Sequence, residues 1–308
     1  MRAAVLQFDD AGFLLDGRHT ADGVLDDYEL RRWDRNLNFF GSYASMGQSR
    51  YELQARLRDC RITLIGLGGI GSHLLPNLAA MGVGHVRAVE ADLVDLSNLN
   101  RQLLYRDADV GRAKLDLAVE RVREFDPRID IEPISLRIGS VEDVHRLADG
   151  ADLLISVSDR ADTEVIPWVN AGCAQAGIPF VCGAIDTQRA LCFTIVPGRT
   201  GCVECWRLTA LQNDPTSVAL HEHRRDRRLG GDNAAFAPLV MLAAGFILNE
   251  VTRVVTGIGK PVAAGRLMQL RFDEVVEAER WGKHPGCPVC GLPVSEPAER
   301  PLTATTAL

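Results

Sequence analysis

The sequence predicts an α/β fold in which helices flank a mostly parallel, Rossmann-like sheet. Short apolar runs alternate with segments of helical periodicity from residue 61 to residue 184, which is typical of βαβ units. A glycine-rich turn follows the first apolar run, as in Rossmann-like domains. Two CxxC pairs later in the chain predict a zinc site of four cysteines beside additional C-terminal strands.

The N-terminal part precedes this alternation. Residues 1–30 mix short apolar runs with aspartate and glycine, as in VLQFDDAGFLLDG, which favours a small β unit. Residues 31–60 contain RRWDRN, a polar loop and the helical pattern YELQARLRD. We expect residues 31–292 to form one large domain.

The alternating region predicts strands and helices in strict succession. The strands are expected at 61–65, 85–90, 129–135, 151–157 and 179–184. The helices are expected at 70–81, 112–125, 141–148 and 162–176. Because each strand is followed by a helix, the strands should run parallel, with helices on both faces of the sheet.

The C-terminal part departs from this pattern. A further strand is expected at 189–196, and the charged stretch 209–233 lacks apolar periodicity, which predicts a surface loop that crosses the core. Later elements are a buried helix at about 238–256, strands near 266–273 and 275–281, and a polar, disordered tail at 293–308.

Composition narrows the class of protein. With a net charge of −7, nothing indicates an electrostatic footprint for nucleic acid over the whole molecule. The N-terminus has no continuous apolar run, and the longest apolar window, 239–248, is too short to span a bilayer. Four of the eight cysteines lie in CxxC pairs, which favours metal binding in a reducing cytoplasm over a disulfide scaffold. We therefore expect a cytoplasmic protein with neither nucleic-acid nor membrane partners.

The glycine turn predicts a phosphate site. Gly66, Gly68, Gly69 and Gly71 form GxGGxG between a strand and a helix, where glycine lets backbone N–H groups approach phosphate. Glu90 ends the second strand, where a carboxylate can accept hydrogen bonds from ribose hydroxyls. Up to this point NAD and ATP fit equally well.

The residues after the second strand separate these nucleotides. Asp92, Asn98, Arg101, Gln102 and Lys114 follow in the pattern ExDxVxxSNLNRQ…VGRAK. Two cations near the phosphate end could neutralise a triphosphate and stabilise its transition state. A solvated surface role would explain each charge singly, but the cluster favours ATP and its metal ion.

These segments carry a family resemblance. GLGGIGS, EADLVDLSNLNRQ and VGRAK closely resemble the ubiquitin-activating superfamily, especially bacterial adenylyltransferases of the molybdopterin-synthase, thiamine sulfur-carrier and microcin C types. The resemblance covers roughly residues 32–290. It implies attack of a substrate carboxylate on the α-phosphate of ATP, giving acyl-AMP and pyrophosphate. Residues 31–292 would then be an ATP-binding adenylation domain with a crossover loop at 209–233.

The resemblance also implies roles for individual residues. Asn98, Arg101 and Lys114 would contact phosphates, and Glu90 would contact the ribose, although the family usually has aspartate there. LLISVSDR matches the segment that ends the fourth strand, which makes Asp159 the expected Mg²⁺ ligand. A helix N-cap is an alternative role for that aspartate.

A second implied role concerns the N-terminal arm. RWDRN resembles a family segment whose second arginine reaches the ATP γ-phosphate in the other subunit's site. Arg35 would then act in trans, and the protein would be a homodimer. The alternative is a surface arginine without a catalytic role.

The two CxxC pairs predict a closed metal site. Cys202, Cys205, Cys287 and Cys290 would bind zinc tetrahedrally with no open position, so the role should be structural. Redox use is less favoured, because neither pair is expected to start a helix as in thioredoxin. The remaining cysteines lie in apolar contexts and predict buried, inert thiols.

The predicted reaction leaves the substrate open. It is the C-terminal carboxylate of a small ubiquitin-like or sulfur-carrier protein, or of a ribosomal peptide in a biosynthetic pathway. Residues 206–236 contain no cysteine, so the reaction is expected to stop at the adenylate or pass it to an external nucleophile. An NAD-dependent oxidoreductase would leave SNLNRQ and the cysteine quartet unexplained, and a non-catalytic scaffold subunit would typically lose the two cations.

Overall fold

The computed structural model describes residues 2–10, 14, 17, 19–45, 47–158, 165–186, 188–216, 235–271 and 277–291. The strands are β1 (Arg61–Ile65), β2 (His85–Val89), β3 (Asp130–Ile134), β4 (Leu153–Ser156), β5 (Phe180–Asp186), β6 (Arg189–Ile195), β7 (Arg266–Arg271) and β8 (Glu277–Arg280). The α-helices are α1 (Arg2–Asp10), α2 (Asp27–Arg32), α3 (Asp34–Gly41), α4 (Arg50–Asp59), α5 (Gly71–Met81), α6 (Lys114–Phe125), α7 (Val141–Ala148), α8 (Val165–Ala176), α9 (Val203–Asn213) and α10 (Ala237–Thr256).

The eight strands of the described residues form one sheet in the order β3-β2-β1-β4-β5-β6-β7-β8. The first five strands pair in parallel, and β6, β7 and β8 continue the sheet in antiparallel pairings. The central strands are buried along nearly their whole length because both faces are covered. The predicted mostly parallel α/β sheet with additional C-terminal strands is confirmed.

Helices cover the two faces of the sheet in separate groups. On one face α4, α5, α6 and α10 contribute buried side chains to the larger hydrophobic core. On the other face α7 and α8 pack together, and the cysteine segments complete that smaller core. The order of strands places the carboxyl ends of β1 and β4 side by side, where open α/β sheets bind ligands.

The long apolar helix α10 packs on the sheet with one face. Within the described ranges it alone is long and apolar enough to cross a membrane, and half of its apolar window is buried. Its buried side chains include Val240, Ala243 and Ile247, and it contacts β5 and β6. Glu250 of this helix is fully buried, where the backbone N–H groups of Val262 and Ala263 donate to its carboxylate. The expectation of a buried helix is met on its inner face.

The N-terminal expectation was wrong. A small β unit was expected over residues 1–30, but the described residues there form α1 and α2. The N–H of Glu29 donates to the Asp26 side chain at 2.8 Å, and the N–H of Asp26 donates to the Glu29 carboxylate at 2.8 Å. This capping box starts α2, so aspartate marks a helix start in this part of the chain. The segment RAAVLQF before it contains alanine, leucine and glutamine, which favour helix.

The expected crossover loop at 209–233 also needs correction at its start. Residues 209–213 belong to α9, which continues from the first CxxC pair to Asn213. Leucine, arginine, alanine and glutamine in VECWRLTALQN favour this helix, although weak amphipathicity hides it in a search for apolar periodicity. Residues 217–234, which hold most of the expected loop, and the expected tail at 293–308 lie outside the described residues.

Candidate active site and metal centre

The glycine turn after β1 has a shape that side chains would prevent. Gly66 has φ +96°, and a Cβ there would lie 3.1 Å from the backbone nitrogen of Ser158. A Cβ on Gly71 would lie 1.9 Å from the carbonyl oxygen of Gly66, so only glycine lets α5 begin this close to the strand. At Gly68 a Cβ would meet only Gln102 Nε2, at 3.7 Å. The turn therefore leaves an open cradle above Gly68.

Gly71→Ala is expected to lower the free energy of unfolding by about 1–3 kcal/mol, because its methyl group would overlap a backbone carbonyl. Gly68→Ala is the matched control in the same turn, and its stability should stay within about 0.5 kcal/mol of the original protein. Thermal or urea unfolding of both variants measures this difference. Equal stability of the two variants would contradict the described packing of the turn.

Glu90 closes the turn from the side. One carboxylate oxygen accepts a hydrogen bond from the Leu67 N–H at 2.9 Å, and the other accepts from Ala91 at 2.7 Å and Asp92 at 2.9 Å. Three backbone donors therefore fix the carboxylate at the carboxyl end of β2. Two carboxylate oxygens can accept about four hydrogen bonds, so capacity remains for a hydroxyl donor such as ribose.

The loop after β2 is paired with the chain that starts α6. The Val94 N–H donates to the Arg112 carbonyl, and the Lys114 N–H donates to the Asp92 carbonyl at 3.1 Å. The Asp92 carboxylate forms an ion pair with Arg137 at 2.9 Å. In this structure Asp92 helps to hold the loop, and a nucleotide contact of its side chain stays a prediction.

Lys114 is a nearly buried residue that is linked to the turn through the Asp92 backbone and the Glu90 carboxylate. It is only 6% exposed, and no hydrogen bond or ion pair joins its ammonium group to any residue in the described part of the chain. Hydrogen bonds from Ser97 lower the pKa of Asp95, and the Lys114 ammonium lowers it further. Because Lys114 opens α6, the helix N-terminus adds to its positive field. An anion bound here would be attracted by the Lys114 ammonium group and by the N-terminus of α6.

Arg101 and Gln102 approach the glycine turn from the 3₁₀ segment Leu96–Asn98. The Arg101 Nε atom lies 3.4 Å from the position of a Cβ on Gly69. Gln102 is 2% exposed and its Oε1 atom has no hydrogen-bond partner among the described residues. Gln102 therefore lies beneath the turn, whereas Arg101 lies beside it.

Asn98 caps the same segment. Its Oδ1 atom accepts a hydrogen bond from the Asp95 N–H at 3.1 Å, and its backbone carbonyl accepts from the N–H groups of Arg101 and Gln102. The Asn98 oxygen is engaged within the loop. A contact of Asn98 with phosphate would have to come from its amide NH₂ group.

Sequence reasoning missed two residues that support this arrangement. His73 Nε2 lies 2.9 Å from the Arg101 carbonyl oxygen, and the buried Tyr105 hydroxyl donates to the Leu67 carbonyl at 2.8 Å. Both contacts join segments that are 28 and 38 residues apart. His73 directly follows GLGGIGS and Tyr105 lies three residues after SNLNRQ, and this closeness to the two motifs is the signal that could have found them.

The expected site residues are not all in one place. The structure brings the four glycines, Glu90, Arg101, Gln102 and Lys114 to one edge of the sheet. Arg35 instead projects from α3 with 94% of its side chain exposed, and its partner in an ion pair is Asp34 at 3.8 Å. Asp159 lies outside the described residues.

The four CxxC cysteines converge. Their sulfur atoms all lie within 4.8 Å of one another, and measured separations are 3.8 Å for Cys202–Cys205, 3.5 Å for Cys202–Cys287 and 3.2 Å for Cys205–Cys290. A tetrahedral zinc with bonds of about 2.3 Å requires sulfur separations of about 3.8 Å. The donor set and its spacing fit a structural zinc ion.

The surroundings of the quartet also fit metal binding. The His284 N–H donates to Cys205 Sγ at 3.2 Å, and the Trp281 indole donates to the Cys202 carbonyl at 3.0 Å. One expectation was wrong, because the first pair does begin a helix, with Cys202 as the N-cap of α9. The two cysteines of the second pair belong to the same cluster of four sulfur atoms. This favours a metal site over a redox-active pair of two cysteines.

The other four cysteines are buried. Burial raises the pKa of Cys182 to about 12 and raises the pKa of Cys60 and Cys173 still further. Burial also raises the pKa of Cys192, which lies near Glu250. These thiols stay protonated at neutral pH and are therefore poor nucleophiles, as expected from the sequence.

Comparison with known proteins decides the family. The model of the ThiF family matches residues 34–289. The chain belongs to the ThiF family. It is 30% identical over 274 residues to the molybdopterin-synthase adenylyltransferase of Escherichia coli, covering 87% of this chain and 98% of that relative. It is also 30% identical to the sulfur carrier protein adenylyltransferase of Thermus thermophilus, over 88% of this chain and 96% of the relative.

Solved structures of the family have the same fold. A crystal structure of Escherichia coli MccB with succinimide has a TM-score of 0.79 and 26% identity, covering 94% of this chain and 80% of that one. MccB with ATP has a TM-score of 0.77 and 25% identity, covering 94% and 81%. The predicted enzyme class, an adenylyltransferase acting on a carboxylate, is confirmed for this ThiF-family chain. The oxidoreductase and scaffold alternatives find no support in these relatives.

Proposed function

We propose that this ThiF-family protein uses ATP to adenylate the C-terminal carboxylate of a small ubiquitin-like sulfur-carrier protein or a ribosomal peptide. The products are an acyl-AMP and pyrophosphate. The observation that carries this proposal is the pair of cations at the edge of the sheet that holds the glycine turn. Lys114 is nearly buried with no partner among the described residues, and Arg101 lies against Gly69.

The proposed chemistry needs positioning and charge neutralisation. A carboxylate is already a competent nucleophile, so no base has to remove a proton. Attack on the α-phosphorus forms the acyl–phosphate bond and breaks the bond to the bridging oxygen, and pyrophosphate leaves with that electron pair. Lys114 and Arg101 would hold the phosphates and stabilise the developing charge. Glu90 would accept hydrogen bonds from the ribose. Asn98 and Gln102 would bind at the phosphate end of the nucleotide.

We assign the magnesium ligand to Asp159. Its support is local: the neighbouring Ser158 has its backbone nitrogen against Gly66, so the chain leaves β4 beside the glycine turn. A bound Mg²⁺ would neutralise phosphate charge. We assign zinc to the cysteine quartet, where it would join the start of α9 to residues 287–290 and act structurally.

Two substrate classes follow from the relatives. The named adenylyltransferases act on molybdopterin synthase or a sulfur carrier protein, and another structure holds MccB in complex with N-formylated MccA. Intact-mass spectrometry after incubation with ATP distinguishes the classes. We expect an AMP adduct on either a carrier protein ending in Gly-Gly or a short peptide, and none on the same molecule with an amidated C-terminus. An adduct on the amidated form would contradict carboxylate adenylation.

We place the enzyme in the cytoplasm as a homodimer. None of its eight cysteines forms a disulfide, which suits a reducing compartment. Arg35 is exposed on α3 and has only the neighbouring Asp34 as an ion-pair partner in the described chain, so it is available to a second protomer.

Arg35→Ala is expected to lower pyrophosphate exchange by at least about tenfold if the guanidinium serves the partner's site. Mixing Arg35→Ala with Lys114→Ala should then restore activity, because one site of each mixed dimer has both groups. With random exchange of subunits, about a quarter of the original activity returns. Mixing Arg101→Ala with Lys114→Ala is the control and should restore nothing, since both residues belong to one protomer. No recovery in the first mixture would exclude action in trans.

A further inference from the structure

One nitrogen of the Arg101 guanidinium makes both of its hydrogen bonds to described residues. Nη1 donates to the Ser97 carbonyl at 3.1 Å and to Oδ1 of Asn100 at 2.8 Å. Nε and Nη2 have no acceptor among the residues that the structure describes. The unused Nε–Nη2 edge lies at the glycine turn, where Nε is 3.4 Å from the position of a Cβ on Gly69.

Asn100 is itself anchored from the other side. Its Nδ2 atom donates to the Ala235 carbonyl at 3.0 Å, two residues before α10. The same helix reaches the turn, because Val240 Cγ1 is 3.8 Å from the position of a Cβ on Gly69. The side-chain amide thus accepts from Arg101 and donates to Ala235. An aspartate could accept but not donate, and an alanine could do neither.

The backbone of Arg101 is fixed separately. His73 Nε2 lies 2.9 Å from its carbonyl oxygen, and its N–H donates to the Asn98 carbonyl. Loss of Asn100 should therefore leave the guanidinium with one contact, to the Ser97 carbonyl, without moving the main chain. Because the backbone and the guanidinium of Arg101 are held by different contacts, the effect of Asn100 on the guanidinium can be measured by itself.

We propose that Asn100 is a positioning residue that aims the Nε–Nη2 edge of Arg101 at the phosphates of ATP. The inference rests on the proposed adenylation function. Two parallel N–H donors on one edge match the spacing of phosphate oxygens, and such paired bonds need a fixed guanidinium orientation. Asn100 supplies that orientation by tying Nη1 to the backbone in front of α10.

Binding and exchange measurements on three variants test the assignment. Asn100→Ala should weaken ATP binding by about 3- to 10-fold, the usual effect of one lost hydrogen bond. Its affinity for adenosine, which has no phosphate, should stay within about twofold. Asn100→Asp should weaken ATP binding further, because its carboxylate would pair with Arg101 in competition with phosphate. Asn100→Gln keeps both hydrogen-bonding functions and should recover part of the loss.

Asn77→Ala is the matched control. Asn77 is exposed and donates one bond to the His73 carbonyl, so its loss removes an asparagine contact without touching Arg101 or Ala235. ATP affinity and exchange should stay at the original level in this variant. Equal losses of ATP and adenosine binding in Asn100→Ala would overturn the proposal, because they would indicate a general disturbance of the fold.

A double-mutant cycle separates this proposal from the proposed function. In an Arg101→Ala background, Asn100→Ala should cause no further loss of exchange, since it acts through the missing guanidinium. An equal loss in both backgrounds would overturn the positioning role and leave the function intact. An Arg101→Ala variant with unchanged exchange would instead overturn the phosphate role of Arg101 within the proposed function.

Discussion

Lys114→Ala is expected to lower ATP–pyrophosphate exchange on the order of 10²-fold or more. Lys114 is only 6% exposed, lies at the start of α6 and has no partner for its ammonium group among the described residues. Such a group is stabilised when phosphate charge reaches it, and most strongly when that charge develops in the transition state. The loss should therefore fall mainly on kcat.

Two comparisons make this result specific. Lys260→Ala removes an exposed lysine outside the site and should leave exchange unchanged. Thermal unfolding of Lys114→Ala should show that the variant remains folded at the assay temperature, so that a loss of exchange reports on the site. Near-normal exchange in Lys114→Ala would contradict the assignment of the phosphate site.

Removal of the metal is expected to have the largest effect on stability. Purified protein should contain one zinc ion per chain, and Cys287→Ser should contain almost none. The zinc-free variant loses the link between α9 and residues 287–290, so its melting temperature should fall by several degrees. In domains of about 150–250 residues each kcal/mol corresponds to roughly 2–4 °C. Elemental analysis and thermal unfolding measure the two effects.

Cys173→Ala is the matched control for this experiment. Cys173 is fully buried beside the same core but is not in the quartet. It should lose stability through the cavity it leaves and keep its zinc. Cys287→Ser with full zinc content, or Cys173→Ala without zinc, would contradict the assigned ligands.

Local sequence patterns predicted the parts of this molecule that depend on near neighbours. The glycine turn, the parallel strands and the convergence of the CxxC pairs were all predicted correctly. Each has a strong local cause: a backbone that excludes side chains, an apolar run, or a knuckle that arranges two thiolates. Gly71 shows this most clearly, because the position of the Gly66 carbonyl leaves no room for any Cβ.

Apart from the two CxxC pairs, which a shared metal ion would join, contacts between distant segments were not predictable in this way. The Asp26–Glu29 capping box resembles a polar turn until the helix after it is known. Asn100 meets Ala235 across 135 residues of sequence, and no local pattern encodes that contact. The first CxxC pair opens a helix that its weak amphipathicity hid from a search for apolar periodicity.

The central claim is that this chain activates a free carboxylate by transfer of AMP. Exchange of labelled pyrophosphate into ATP, measured with a Gly-Gly carrier protein or peptide and with its C-terminal amide, tests it most directly. We predict exchange that requires the free carboxylate, with acyl-AMP and pyrophosphate as the products. Release of ADP and phosphate, or exchange unaffected by amidation, would contradict it.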